Sequence, residues 1–215
     1  TEPMKGVVWT HGSLTYKNNI AKADSIPLAR VKAAGAIITG KTNTPENGFA
    51  GTTENRLGPP ARNPWNLDKT PGGSSGGASA AVASGLTSFA TGGDGGGSIR
   101  IPAAFAGVYG IKATQGRVAR AANPTRNAGH NIMNNATSGP LTRTVRDAAV
   151  TLAIMSGHDP RAEADSITDD VPDYLGALTK GVKGLRIGWT PDMGGNPVEP
   201  EVVRVTETAA KVFEE

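Results

Sequence analysis

Pro71-Gly72-Gly73-Ser74-Ser75-Gly76-Gly77 and Asp94-Gly95-Gly96-Gly97-Ser98-Ile99-Arg100 bracket the stretch around which this 215-residue sequence is organised. Each run sets serine hydroxyls among glycines. Glycine permits positive φ and close backbone approach, at extra entropic cost on folding. Two such loops so near each other predict a site lined by backbone N–H groups. Between them Gly77 to Leu86 is small and alanine-rich, which predicts a tightly packed helix. Thr87 to Thr91 then predicts a short buried strand that delivers the second loop. Pro102 suits a first helical position, so Ser98 is expected just ahead of a helix N-terminus.

That arrangement suits acyl transfer. A serine nucleophile needs a base to take its proton and donors aimed at the oxyanion of the tetrahedral intermediate. The N–H groups of Gly95, Gly96, Gly97 and Ser98 are the candidate donors. The three histidines, His11, His130 and His158, stand in no nucleophile-activating motif. A relay through a second serine and a lysine is the economical alternative.

At these residues the sequence resembles the amidase signature family. The likeness runs through Gly72–Gly77, Asp94–Arg100, Pro102-Ala103, Gly107–Lys112 and Gly116-Arg117-Val118. It extends back through Gly40-Lys41-Thr42-Asn43-Thr44-Pro45-Glu46 and Asn63-Pro64-Trp65, and forward through Gly139–Ala149. Ala113 departs from the family's usual proline. The resemblance implies an α/β fold, a mixed β-sheet covered by helices on both faces. Residues 1–215 would form part of a single amidase signature domain with the signature core at about 27–160. It implies Ser98 as nucleophile and Ser74 as bridging serine, with a cis peptide at Gly73–Ser74. Ser75 would support the site by hydrogen bonding, and Asp94 and Arg100 would brace the glycine loop.

The family's third catalytic member is a lysine in a Lys-Asp pair, and this sequence contains no such pair. Thr1 to Gly6 resembles the segment just after that pair, so the lysine is expected upstream of Thr1 in a longer enzyme; Lys5 lies beyond the motif position. The implied reaction is cleavage of a C–N bond in a small-molecule amide or related acyl compound, with no metal or organic cofactor. Two alternatives stand beside it. One is the glutamine-hydrolysing subunit of an amidotransferase, against which Ile101 occupies a place where that subgroup commonly has glutamine. The other is a catalytically inactive binding domain.

Composition narrows the field. A net charge of +3, without a basic run carrying interleaved aromatics, gives no support for nucleic-acid binding. The absence of cysteine excludes disulfides and thiolate chemistry. No apolar run approaches membrane-spanning length, and no signal peptide opens the sequence. The expectation is a cytoplasmic protein without a membrane partner, with a homodimer as the oligomer to test.

Two patterns mislead. Gly35–Thr42 satisfies G-x-x-x-x-G-K-[ST], yet its middle is itself an apolar, β-branched strand pattern, where a phosphate loop needs a turn between strand and helix. Gly72–Gly76 satisfies G-x-S-x-G, yet Asn66–Pro71 is a poor strand to feed a nucleophile elbow. Elsewhere, Ser25 caps an expected helix over Pro27–Ala34, Ala36–Thr39 reads as a buried strand, and residues 119–138 read as a long loop. His130, Asn131 and Met133 fall in that loop, and His11 reads as a surface residue in a turn. A helix is expected over Val145–Met155, a strand over Leu185–Trp189, and a helix through Val202, Val205, Ala209 and Val212.

Overall fold

The computed structural model describes residues 2–120 and 135–214. Helix α1 (Ile26–Ala33) starts where the Ser25 hydroxyl accepts the Leu28 N–H at 3.3 Å. This satisfies one of the donors that every helix start leaves unpaired. Helix α2 (Gly76–Ala83) follows the first glycine loop, strand β1 (Phe89–Asp94) delivers the second, and α3 (Arg100–Ala106) leaves it. Then come β2 (Tyr109–Gly110), β3 (Thr137–Thr142) and α4 (Val145–Met155), whose cap Thr144 accepts the Asp147 N–H at 3.0 Å. The Gly73–Ser74 peptide is cis, as the resemblance implied.

The sheet has the order β1-β3-β2, and both ladders are antiparallel, with Phe89 opposite Thr142, Asp94 opposite Thr137 and Tyr109 opposite Thr142. One parallel bridge joins Val118 to Gly157. Consecutive strand residues point to opposite faces. Phe89 packs with Leu28, Val31, Leu152 and Met155, while its neighbour Ala90 packs with Ala78, Val82, Ile99 and Leu141. Helices α1 and α4 therefore cover one face and α2 and α3 the other, the two-sided arrangement expected. Met155, Ile99, Leu141 and Val82 have no exposed surface, each contributing about 1.5–3 kcal/mol by burial.

Two loop residues finish α3. Asn63 Nδ2 donates to the Phe105 carbonyl at 2.8 Å, and Trp65 Nε1 donates to the Ala106 carbonyl at 2.7 Å. Arg30 does the same for α4, reaching the carbonyls of Met155 and Gly157, each at 2.9 Å, and of His158 at 2.8 Å.

Several expectations change. The run Ala36–Thr39 forms no ladder among the described residues: Ala36 and Ile38 pack inward, but Ile37 is 87% exposed and no described strand lies beside it. Leu185–Trp189 likewise forms no strand, its alternate apolar residues remaining partly exposed. The strand expected at Thr87 starts at Phe89. Strand β3 occupies Thr137 and Ser138, the end of the expected 119–138 loop; residues 121–134, with His130, Asn131 and Met133, lie outside the described residues. His11 is no plain surface residue. It is half-buried at φ 53°, with its ring 4.3 Å from Trp9 and 5.7 Å from Tyr16 between centroids.

Contacts divide the chain into two units, Thr1–Leu175 and Gly176–Glu215. The boundary falls inside the short helix α5 (Tyr174–Ala177). The second unit contains α6 (Pro200–Ala210), which carries Val202, Val205 and Ala209 of the expected helix, with Val202 and Val205 each about half exposed; Val212 falls in the 3-10 turn Lys211–Glu214 that follows. No helix among the described residues is long and apolar enough to cross a membrane.

Candidate active site

The two serine loops are joined directly: the Ser75 N–H donates to the Ser98 carbonyl at 3.1 Å. Ser75 stands at the cap position of α2 but gives that helix no side-chain bond; its hydroxyl instead reaches the Gly93 carbonyl at 3.5 Å, the outer limit of a hydrogen bond. Ser74 is nearly buried, and its carbonyl accepts the Thr44 hydroxyl at 3.2 Å. The Thr53 hydroxyl donates to the Gly72 carbonyl at 2.8 Å and accepts the Gly76 N–H at 3.1 Å. Asn43 Oδ1 and the Thr44 carbonyl both accept from Asn55 Nδ2, at 2.6 and 2.7 Å, which fixes the strip on which Thr44 sits.

Asp94, with no exposed surface, organises the second loop. Its Oδ1 accepts the Gly97 N–H at 2.7 Å, and its Oδ2 accepts the N–H groups of Ile99 and Arg100, each at 3.2 Å. The Arg100 guanidinium adds Nε to Oδ2 at 3.0 Å and Nη2 to Oδ1 at 3.1 Å. Burial by itself pushes this carboxyl up. The Arg100 guanidinium and the three backbone donors outweigh burial and hold it at about 2.

This geometry divides the four expected oxyanion donors. The Gly97 N–H is committed to Asp94 Oδ1. The N–H groups of Gly95, Gly96 and Ser98 form no hydrogen bond among the described residues; both glycines are exposed and Ser98 is half-buried. Only glycine fits position 97, because φ is 117° and a Cβ there would come within 2.8 Å of Ile101 Cδ1.

A small polar cleft opens beside Ser74, lined by Glu2, Thr42, Thr44, Ser75, Thr91 and Gly92 among others. Glu2 accepts the Ser138 hydroxyl at 2.8 Å. Lys41 Nζ donates to the Val8 carbonyl at 3.2 Å; partial burial lowers its pKa, and the charge of Glu2 opposes that shift. No α-helix follows Lys41 and no strand feeds Gly72, which removes the structural context of both misleading patterns. Lys5 is exposed, with its backbone N–H on Asp24. His158 is exposed, and its Nδ1 lies 3.1 Å from the Ser166 hydroxyl. No cluster of three or more metal-ligating side chains occurs among the described residues.

The family profile described as Amidase matches residues 3–215. The chain belongs to the amidase signature family. Over 98% of its length it is 45% identical to an acylamidase of Rhodococcus erythropolis, and 41% identical to a glutamyl-tRNA(Gln) amidotransferase subunit of Carboxydothermus hydrogenoformans. It covers 43% and 44% of those relatives. Among solved structures, a bacterial aryl acylamidase of the amidase signature family superposes with a TM-score of 0.91 at 41% identity, over 99% of this chain and 43% of that one. A 6-aminohexanoate cyclic dimer hydrolase superposes at 0.88 with 35% identity, over 97% of this chain and 44% of that one. This amidase signature chain thus spans less than half the length of the relatives it matches.

Sequence reasoning gave no role to Thr44 and Thr53. Thr44 lay in a motif already matched to the family, and Thr53 stood in an unremarkable polar loop. Neither spacing nor residue type announces a hydroxyl that acts across the chain.

Proposed function

We propose that the protein carrying this chain hydrolyses a small-molecule amide through an acyl-enzyme on Ser98. The observation that carries the reading is the loop junction. Ser75 N–H binds the Ser98 carbonyl, which sets the Ser74 loop against a turn with uncommitted N–H groups at Gly95, Gly96 and Ser98. Donors held ready for developing negative charge are the largest usual source of acyl-transfer catalysis.

In the proposed reaction Ser98 Oγ bonds to the amide carbonyl carbon while its proton passes to Ser74 Oγ, whose own proton passes to a neutral lysine. That lysine belongs to the family's Lys-Asp pair, which this sequence does not contain. The proton returns through Ser74 to the departing nitrogen as the C–N bond breaks. Water then attacks the ester, releasing a carboxylic acid and restoring Ser98. The acylamidase likeness favours a simple acyl amide as substrate.

A second reading, glutamine hydrolysis for amidotransfer, is favoured by the 41% identity to the amidotransferase relative. Ile101 weighs against it. A panel of acyl anilides, aliphatic amides and glutamine, read by released amine or ammonia, separates the two. Ser98→Ala should abolish turnover and labelling by a fluorophosphonate probe while the protein stays folded. Near-normal turnover by folded Ser98→Ala overturns the assignment.

A further inference from the structure

We propose that Thr53 is a positioning residue for this reaction, its buried hydroxyl clamping both ends of the loop that presents Ser74 and Ser75. The inference rests on the amidase reading above. Thr53 is 1% exposed and lies far from the loop in sequence. A hydroxyl has one proton and two lone pairs. Here the proton goes to the Gly72 carbonyl and a lone pair to the Gly76 N–H, so one oxygen closes the loop across Gly73, Ser74 and Ser75.

The second of these bonds does a job that normally falls to the cap residue. The first N–H groups of a helix have no partner within it, and a serine at the cap position usually supplies one. Ser75 holds that position in α2 without a capping bond. Thr53 serves α2 from outside, which leaves the Ser75 hydroxyl turned toward Gly93 and its N–H on the Ser98 carbonyl. Thr53 is itself anchored, since its carbonyl accepts the Ala61 N–H at 2.9 Å. The space around Gly76 is taken up by the Thr53 side chain, so the loop cannot settle inward while that side chain is there. A second threonine, Thr44, holds the Ser74 carbonyl between these two anchor points.

The consequence is kinetic. A misplacement of about 1 Å in a catalytic group can cost about 10²-fold in rate. Thr53→Val keeps the shape and removes the hydroxyl. In the whole protein it should lower kcat, and the rate of fluorophosphonate labelling at Ser98, by about 10–100-fold, with KM changed little. Thr53→Ser keeps the hydroxyl and should recover most of the lost kcat. Both are measured at a temperature where thermal melts show them folded.

If Thr53→Val retains kcat within about threefold, or loses activity only in proportion to its unfolded fraction, the proposal fails. Should the valine variant not fold, Thr53→Cys, a weaker donor of similar size, carries the same test: unchanged kcat in it overturns the clamp. Wild-type protein inert toward amides and unlabelled at Ser98 would refute the amidase reading itself. An active wild type with an equally active Thr53→Val refutes only the role of Thr53.

Discussion

Asp94 receives five hydrogen bonds, three from backbone N–H groups and two from Arg100. Hydrogen bonds to a charged partner contribute about 1.5–3 kcal/mol each, and an unsatisfied buried group costs about as much. Asp94→Asn keeps the outline but loses the charge and turns an NH2 group toward donors. It should destabilise the protein by about 2–4 kcal/mol, read as a lower midpoint in urea, and reduce turnover because the Ser98 turn loosens. That Asp94 and Arg100 belong with the glycine loop was legible only through the family resemblance. The choice of which N–H the carboxylate would take was not, since the bond to Gly97 depends on a turn that only the folded loop defines. The same limit hid Thr53, whose partners lie some twenty residues downstream.

Among the elements, the helices were the legible ones, with or without a side-chain cap. Ser25 before α1 and Thr144 before α4 mark helix starts by local chemistry alone. Strands fared worse because a ladder needs a partner that periodicity does not provide. Ala36–Thr39 is apolar and β-branched yet has no partner strand among the described residues, whereas β3, the central strand, begins inside the expected 119–138 loop and carries Gly139-Pro140. Pro140 is tolerated there for a geometric reason. Its carbonyl accepts the Ile111 N–H at 3.2 Å, so its missing N–H also faces the β2 side, where the two-residue ladder has already ended at Gly110. The grip of Arg30 on the end of α4 gives a test at this scale. Arg30→Met should leave three carbonyls without that donor and cost about 1–3 kcal/mol, measured by thermal unfolding. Because α1 and α4 pack on the face opposite α2 and α3, kcat at a permissive temperature should change little.

For the whole molecule, acidity is the coherent variable. Asp94 and Asp159 are both held at about 2. For Asp159 the Arg161 guanidinium is the main cause, opposed by burial and assisted by the Arg161 N–H and the charge of Arg30. Each group binds its proton more weakly folded than unfolded, where an aspartate titrates near about 3.9. Their contribution is therefore complete above about pH 4 and is lost as pH falls toward about 2. The melting temperature should hold nearly level down to about pH 4 and then drop steeply, and Asp94→Asn should flatten part of that drop. A curve already falling steeply between about pH 6 and pH 5 would contradict this account.

The order of the sheet bears on how the site comes into being during synthesis. Strands β1 and β2 emerge first; among the described residues they do not pair with each other, and both pair with β3, which begins at Thr137. At translation rates of about 5–20 residues/s, β1 waits several seconds for its partner. During that interval the strand leading into the Asp94–Arg100 turn has no ladder partner, and the apolar face shared by Ala90 and Ile99 lacks Leu141. A ribosome halted before Thr137 therefore holds a nascent chain with both serines already made and the strand that joins β1 to β2 still missing.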